Sequence, residues 1–106
     1  MPRINTRHAD RFIAELKPFT SNGAISAEMD GAAYVVRSYS TAIAVIYPNK
    51  GEAVLNGAKY SVTTTKHQTQ AARGVAALGY AVTELDDPQA FTEVTGYRAR
   101  IRGAIY

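Results

Sequence analysis

From residue 24 to residue 62 the chain runs in period-two pieces rich in Val, Ile and Tyr, separated by turn residues, and that stretch decides the fold class. Ile25, Ala27 and Met29 alternate, and Asp30-Gly31 is a type I′ hairpin signal, since both central positions of that turn need a positive φ. Segments 33–39 and 41–47 carry the β-branched and aromatic side chains that pack well on a pleated surface. Between them, Ser38-Tyr39-Ser40-Thr41 reads as a tight connection or as a bulge inside one long strand. Pro48-Asn49-Lys50-Gly51 is a turn, with Pro presetting its φ and Gly permitting a positive one. Segments 53–55 and 58–62 flank Asn56-Gly57, a second hairpin signal. Up to five short antiparallel strands therefore fill the region.

Helical patterns flank it. Ala9, Phe12, Ile13 and Leu16 form an i, i+3, i+4, i+7 stripe, with Asn5 or Thr6 at the cap position and Pro18 as a stop, which predicts a helix over about 6–17. Thr65-Lys66-His67-Gln68 fits the capping box that opens a second helix. Ala71, Val75 and Leu78 continue its apolar face to Gly79, a natural left-handed stop. Gly74 costs that helix ~1 kcal/mol relative to alanine, which close packing on the sheet would explain. Residues 80–85 return to strand, and Asp87-Pro88 starts a short helical turn ending near Gly96. The segment 97–102 alternates strictly; as a strand it places Arg98, Arg100 and Arg102 on one face and Tyr97, Ala99 and Ile101 on the other.

These elements predict one α+β domain over residues 1–106: a hairpin-rich antiparallel sheet of four to six short strands with two main helices packed on one face. Phe12, Leu16, Val36, Ile43, Val45, Val75 and Leu78 are the expected core. Tyr39, Ile46, Tyr47, Ile105 and Tyr106 remain as an apolar surplus that a second copy would cover on the other face, the basis for expecting a homodimer.

Composition acts by exclusion. The absence of cysteine removes disulfides, thiolate catalysis and Cys-based zinc sites, and fits a reducing cytoplasm. No apolar run approaches the ~18 residues of a membrane span, and residues 1–17 lack the apolar core of a secretory signal. The expectation is a cytoplasmic protein without a membrane partner. The formal net charge of +3 is unevenly spread. Residues 1–17 carry four cations against two acids, residues 80–96 carry Glu84, Asp86, Asp87 and Glu93 with no cation, and the last ten residues carry three arginines with no acid.

The junction Tyr60–Gln70 crowds hydroxyls, a cation and an imidazole at one helix start, where unpaired N–H groups attract anions. Arg37, Thr63, Thr64, Lys66 and His67 are the candidate anion-binding set, with Arg37, Thr64, Lys66 and His67 expected to converge on a phosphate or carboxylate. Helix capping alone is the competing explanation of the threonines. No histidine spacing suits a metal, and Ser38, Ser40 and Ser61 lie in no nucleophile motif, so no cofactor and no catalytic residue is expected. Arg98, Arg100 and Arg102, spaced about 7 Å apart on a strand, suit a nucleic-acid backbone, with exposed tyrosines to stack on bases. The competing role is charge protection of an edge strand.

Tyr34-Val35-Val36-Arg37-Ser38-Tyr39-Ser40-Thr41-Ala42-Ile43-Ala44 and Tyr60-Ser61-Val62-Thr63-Thr64-Thr65-Lys66-His67-Gln68 together resemble a small domain of unknown function found in bacteriophage and plasmid proteins, notably of actinobacterial phages. The likeness covers about residues 30–75. It implies an accessory phage product in the cytoplasm of an infected host and transfers no catalytic residue. The functional expectation is a non-enzymatic binding module contacting nucleic acid. A modulator that binds a host protein is the alternative, and an enzyme or binder of a phosphorylated small molecule is the third.

Overall fold

Turn residues set most of the topology in the computed structural model, which describes residues 2–100. Strands β1 (Phe19–Ser21), β2 (Ile25–Asp30), β3 (Ala33–Ser38), β4 (Thr41–Tyr47), β5 (Glu52–Asn56) and β6 (Ala81–Leu85) lie in one open sheet in chain order. The first five form an antiparallel meander, and β6 pairs parallel with β5. A parallel join needs a crossover, and helix α2 (Val62–Leu78) supplies it. A 3₁₀ turn (Thr6–His8) leads into α1 (Ala9–Ala14), and α3 (Pro88–Thr95) follows β6. No helix among the described residues is long and apolar enough to cross a membrane.

The sheet has two covered faces. Tyr34, Val36, Ile43, Ala44 and Ile46 pack under Ala9 and Ile13 of α1 and Ala71 and Val75 of α2. Val35, Ala42, Val45 and Val54 on the other face pack under Phe91 of α3 and Ala99. Ile43 and Ala44 are consecutive yet share a face, because the β3–β4 register shifts there and inserts one extra residue into β4. Ser38-Tyr39-Ser40-Thr41 is accordingly a tight turn, and the bulge lies two residues further on.

The two main helices share one face as expected, while α3 occupies the face assigned to a second copy. Ile46, expected among the apolar surplus, is fully buried, and Ile105 and Tyr106 lie outside the described residues. Phe12, Leu16 and Leu78 are only partly buried at the core margin, where Ala9 and Ile13 take the central places. The first helix is shorter than 6–17: Asn5 caps the 3₁₀ turn by accepting the Arg7 N–H, and Leu16 already has φ +54°.

Two turn readings need correction, and one turn was missed. The β2–β3 loop is Gly31-Ala32, with positive φ only at Gly31, so the type I′ assignment to Asp30-Gly31 is one residue early. Asn22-Gly23, with φ +51° and +69°, makes the β1–β2 turn, and both it and β1 went unread in the sequence. Asn56-Gly57 is no hairpin, and residues 58–62 are no strand. The buried Asn56 side chain instead donates to Ala42 O at 3.1 Å and accepts the Ala58 N–H at 3.0 Å. It fills the ladder position that β5 vacates as the chain leaves the sheet.

Candidate functional site

Helix α2 starts four residues earlier than a capping box at Thr65 predicts. Ser61 is its cap and accepts the Thr64 N–H at 3.2 Å, a contact worth about 1 kcal/mol. Thr65 donates its hydroxyl to Ser61 O, and Gln68 donates to Asn56 O and Ala58 O, at 2.7 and 2.9 Å, instead of closing a box with Thr65. The glutamine therefore pins the connection between β5 and α2.

This earlier start turns Thr64 and His67 inward. Ser38, the last residue of β3, donates to Thr64 Oγ1 at 3.2 Å and lies 2.7 Å from His67 Nδ1. Ser61 donates to the same Thr64 oxygen at 3.3 Å. The short Ser38–His67 contact ties the imidazole to the end of β3, with donor and acceptor set by the ring tautomer. Tyr39 lays its ring beside the imidazole, centroids 6.1 Å apart. It does so from a left-handed turn position, φ +55°, which costs a side-chain-bearing residue roughly 1–2 kcal/mol. Its N–H donates to Ala24 O at 2.6 Å, which helps to hold it there. The knot joins the β3–β4 hairpin to α2 through hydroxyls and one imidazole.

His67 is 3% exposed, and burial lowers its pKa below the usual 6.5. The folded state thus holds the neutral ring while the unfolded chain binds a proton more readily. The His67 contribution to stability is complete above pH 6.5 and is lost as pH falls from there through the lowered folded value. Denaturant melts between pH 5 and 7.5 are expected to show this fall in the native protein and a flatter profile in His67→Gln. An equal slope in both would contradict the assignment.

The expected convergence of Arg37 on this cluster does not occur. Ser38 faces α2, whereas Arg37 points to the opposite face of the sheet, its guanidinium 5.8 Å from the Tyr97 ring centroid. Alternation along β3 makes the separation unavoidable. Thr63 is exposed in the first turn of α2. Lys66 is also exposed, but it belongs to a different arrangement. With Thr69, Gln70 and Arg73 from α2 and Thr6 and Arg7 from the 3₁₀ turn, it lines a groove of about 360 Å³. None of these six residues is acidic, and the ion pair found between described residues, Lys17–Glu15, lies elsewhere. Gln70 steadies the groove by accepting the Asp10 N–H at 3.2 Å, and Thr6 shares a 2.6 Å hydrogen bond with Ser21. Arg7, Gln70 and Arg73 were missed in the sequence. Their signal was the polar stripe Lys66, Thr69, Gln70, Arg73 at i, i+3, i+4, i+7, legible once α2 is placed.

The arginine segment is extended but is not a strand over its described part. Arg98 O accepts the Ala42 N–H at 2.9 Å and Arg100 O accepts the Tyr60 O–H, so backbone groups tie it to the start of β4 and to the approach to α2. The alternation survives, with Ala99 buried and Arg98 and Arg100 exposed. Arg102 lies outside the described residues. No group of three or more histidines and acids that could hold a metal occurs among the described residues.

These features define a small α+β domain: a six-stranded, mostly antiparallel open sheet with a buried hydroxyl–imidazole knot and a cationic groove along its long helix. The chain belongs to a family of unknown function, DUF8033, whose family model matches residues 6–86. That span runs from the 3₁₀ turn past β6, well beyond the 30–75 of the sequence likeness, and leaves out α3 and Arg98, Arg100 and Arg102. No curated protein and no solved structure matches the chain.

Proposed function

We propose that this domain is a non-enzymatic nucleic-acid-binding module, an accessory product of a phage or plasmid acting in the cytoplasm of a bacterial host. The groove of Arg7, Lys66 and Arg73 carries the reading. Lys66 and Arg73 are two helical turns apart, about 10 Å, or three nucleotide rises of about 3.4 Å along one strand. The Gln70 side-chain amide lies on the helix between Lys66 and Arg73 and offers N–H donors that suit phosphate oxygens. Exposed Arg98 and Arg100 form a second basic patch, tied to the approach to α2 through the Tyr60 hydroxyl. The phage or plasmid origin is supported by the sequence likeness of segments 34–44 and 60–68. Ser38 and His67 are both buried and bonded within one knot that joins β3 to α2, which favours a structural role for the pair and binding over catalysis.

Binding to a 20-nucleotide strand is expected to weaken steeply with salt. The triple variant Arg7→Ala, Lys66→Ala, Arg73→Ala should flatten the logarithmic salt slope by about three, while Arg98→Ala with Arg100→Ala measures the share of the second patch. A native protein that shifts no DNA or RNA at low salt would sink the reading. Saturation by a mononucleotide, with no gain from a longer strand, would point to the phosphorylated small molecule instead. The host-protein reading is favoured by a separate feature, the open edge of β6.

A further inference from the structure

The two edges of the sheet are finished differently. β1 is three residues long, and its outer side is covered by the chain start: Thr20 N–H donates to Pro2 O, Ile4 N–H donates to Thr20 O, and Arg3 bridges to Thr20. β6 is five residues long, its first four residues are exposed, and no described strand lies beyond it. It carries no proline, lysine or bulge, and Glu84 is the single charge on it. Val82 is 46% exposed beside it.

The direction of the free backbone groups follows from two hydrogen bonds. Ala81 N–H donates to Gly51 O and Gly57 N–H donates to Leu85 O, so the odd-numbered residues of β6 face β5. Alternation turns the N–H and C=O groups of Val82 and Glu84 outward, where they are spaced for one more strand. The charge beside them is one-sided. A side chain at Gly57 would meet Asp86 Oδ1 at 2.5 Å and Glu84 Cγ at 2.9 Å, so both acidic side chains gather at the C-terminal end of β6, above the glycine that follows β5. Neither forms an ion pair with a described residue.

We propose that the β6 edge is a docking strand for an extended basic segment of another protein, which adds to the sheet through Val82 and Glu84 and sets alternate cations against Glu84 and Asp86. A second copy of this chain is the poorer occupant. Two-fold pairing of β6 with itself would centre on Thr83, set Glu84 opposite Val82, and place no cation against Glu84 or Asp86.

The probe is a synthetic acetylated octapeptide of alternating arginine and valine, titrated into the full chain with amide hydrogen exchange as readout. Binding is expected to slow exchange of the Val82 and Glu84 amides about tenfold or more at saturation. Val82→Pro, which removes an outward donor and no bond to β5, should weaken binding about tenfold, as should Glu84→Gln combined with Asp86→Asn. Should the proline variant fail to fold, the amide pair of substitutions and a peptide N-methylated at alternate residues still decide the matter. Absence of binding at millimolar peptide, binding that leaves both amides unprotected, or protection of the same amides by self-association without peptide would each overturn the proposal. Oligonucleotide affinity should be unchanged in Val82→Pro, so that this edge and the cationic groove stand or fall separately.

Discussion

Gly74→Val is expected to cost at least ~3 kcal/mol of folding stability, and even Gly74→Ala is expected to destabilise by ~1–2 kcal/mol. Helix propensity predicts the opposite for alanine, a gain of ~1 kcal/mol at an interior position. The contact outweighs it. A Cβ at Gly74 would lie 2.6 Å from both Cβ and Cγ2 of Ile13 and 2.9 Å from the backbone oxygen of Asp10. Ile13 is fully buried and β-branched, so it has no spare rotamer to retreat into. The Asp10 oxygen belongs to α1 itself, so relief requires that helix to lift off the core. Thermal or urea melts of the two variants check this. A rise in Tm for Gly74→Ala would show that α1 yields freely and that the glycine has no packing role.

Phe91→Ala is expected to cost about 3–5 kcal/mol, a large share of the about 5–15 kcal/mol typical of a domain. Phe91 is fully buried against Val35, Val45 and Val54 and is the large side chain by which α3 holds the second face. An eight-residue helix is too short to persist alone. Its caps are good: Asp87 accepts the Gln89 N–H at 3.1 Å, Pro88 stands in the first turn, and Gly96 ends it at φ +77°. Caps contribute about 1 kcal/mol each and cannot replace an aromatic anchor. Denaturant melts read the total cost, and exchange of the α3 amides reads whether the helix detaches. Loss below 1 kcal/mol with α3 still protected would mean that Ala99, buried and donating its N–H to Thr92 Oγ1 at 2.9 Å, carries the attachment.

What could be read from the sequence divides by the range of the interactions involved. The Pro48–Gly51 turn, the Gly79 stop and the Asp87-Pro88 helix start depend on neighbours within a few residues, and all three stand in the fold. Asn56-Gly57 carries the same kind of local signal and misleads, because the Asn56 side chain is recruited by Ala42, fourteen positions earlier. Thr65-x-x-Gln68 misleads likewise: Gln68 finds better acceptors at Asn56 and Ala58 than at its own helix end. Gly74 was legible as a site of close approach, but the approaching element is α1 rather than the sheet, a matter of tertiary placement. His67 and Thr64 were legible as unusual, and Ser38 as available. Their meeting depends on where α2 starts, and the cap lies four residues earlier, at Ser61, than the sequence pattern placed it. Arg37 fails as their partner for a reason that is local, since one step along β3 puts it on the other side of the sheet.

The crossover through α2 also fixes an order of events in time. During synthesis the meander from β1 to β5 is made before α2 or β6 exists, so β5, with Ala53, Val54 and Leu55, is the last strand of an unfinished sheet. Each hairpin pairing closes a loop of two to four residues, whereas β6 must wait for twenty-four more, those from Gly57 to Tyr80. The nascent chain therefore presents an apolar edge one strand earlier than the finished protein does, and β6 closes it only to leave its own edge in its place.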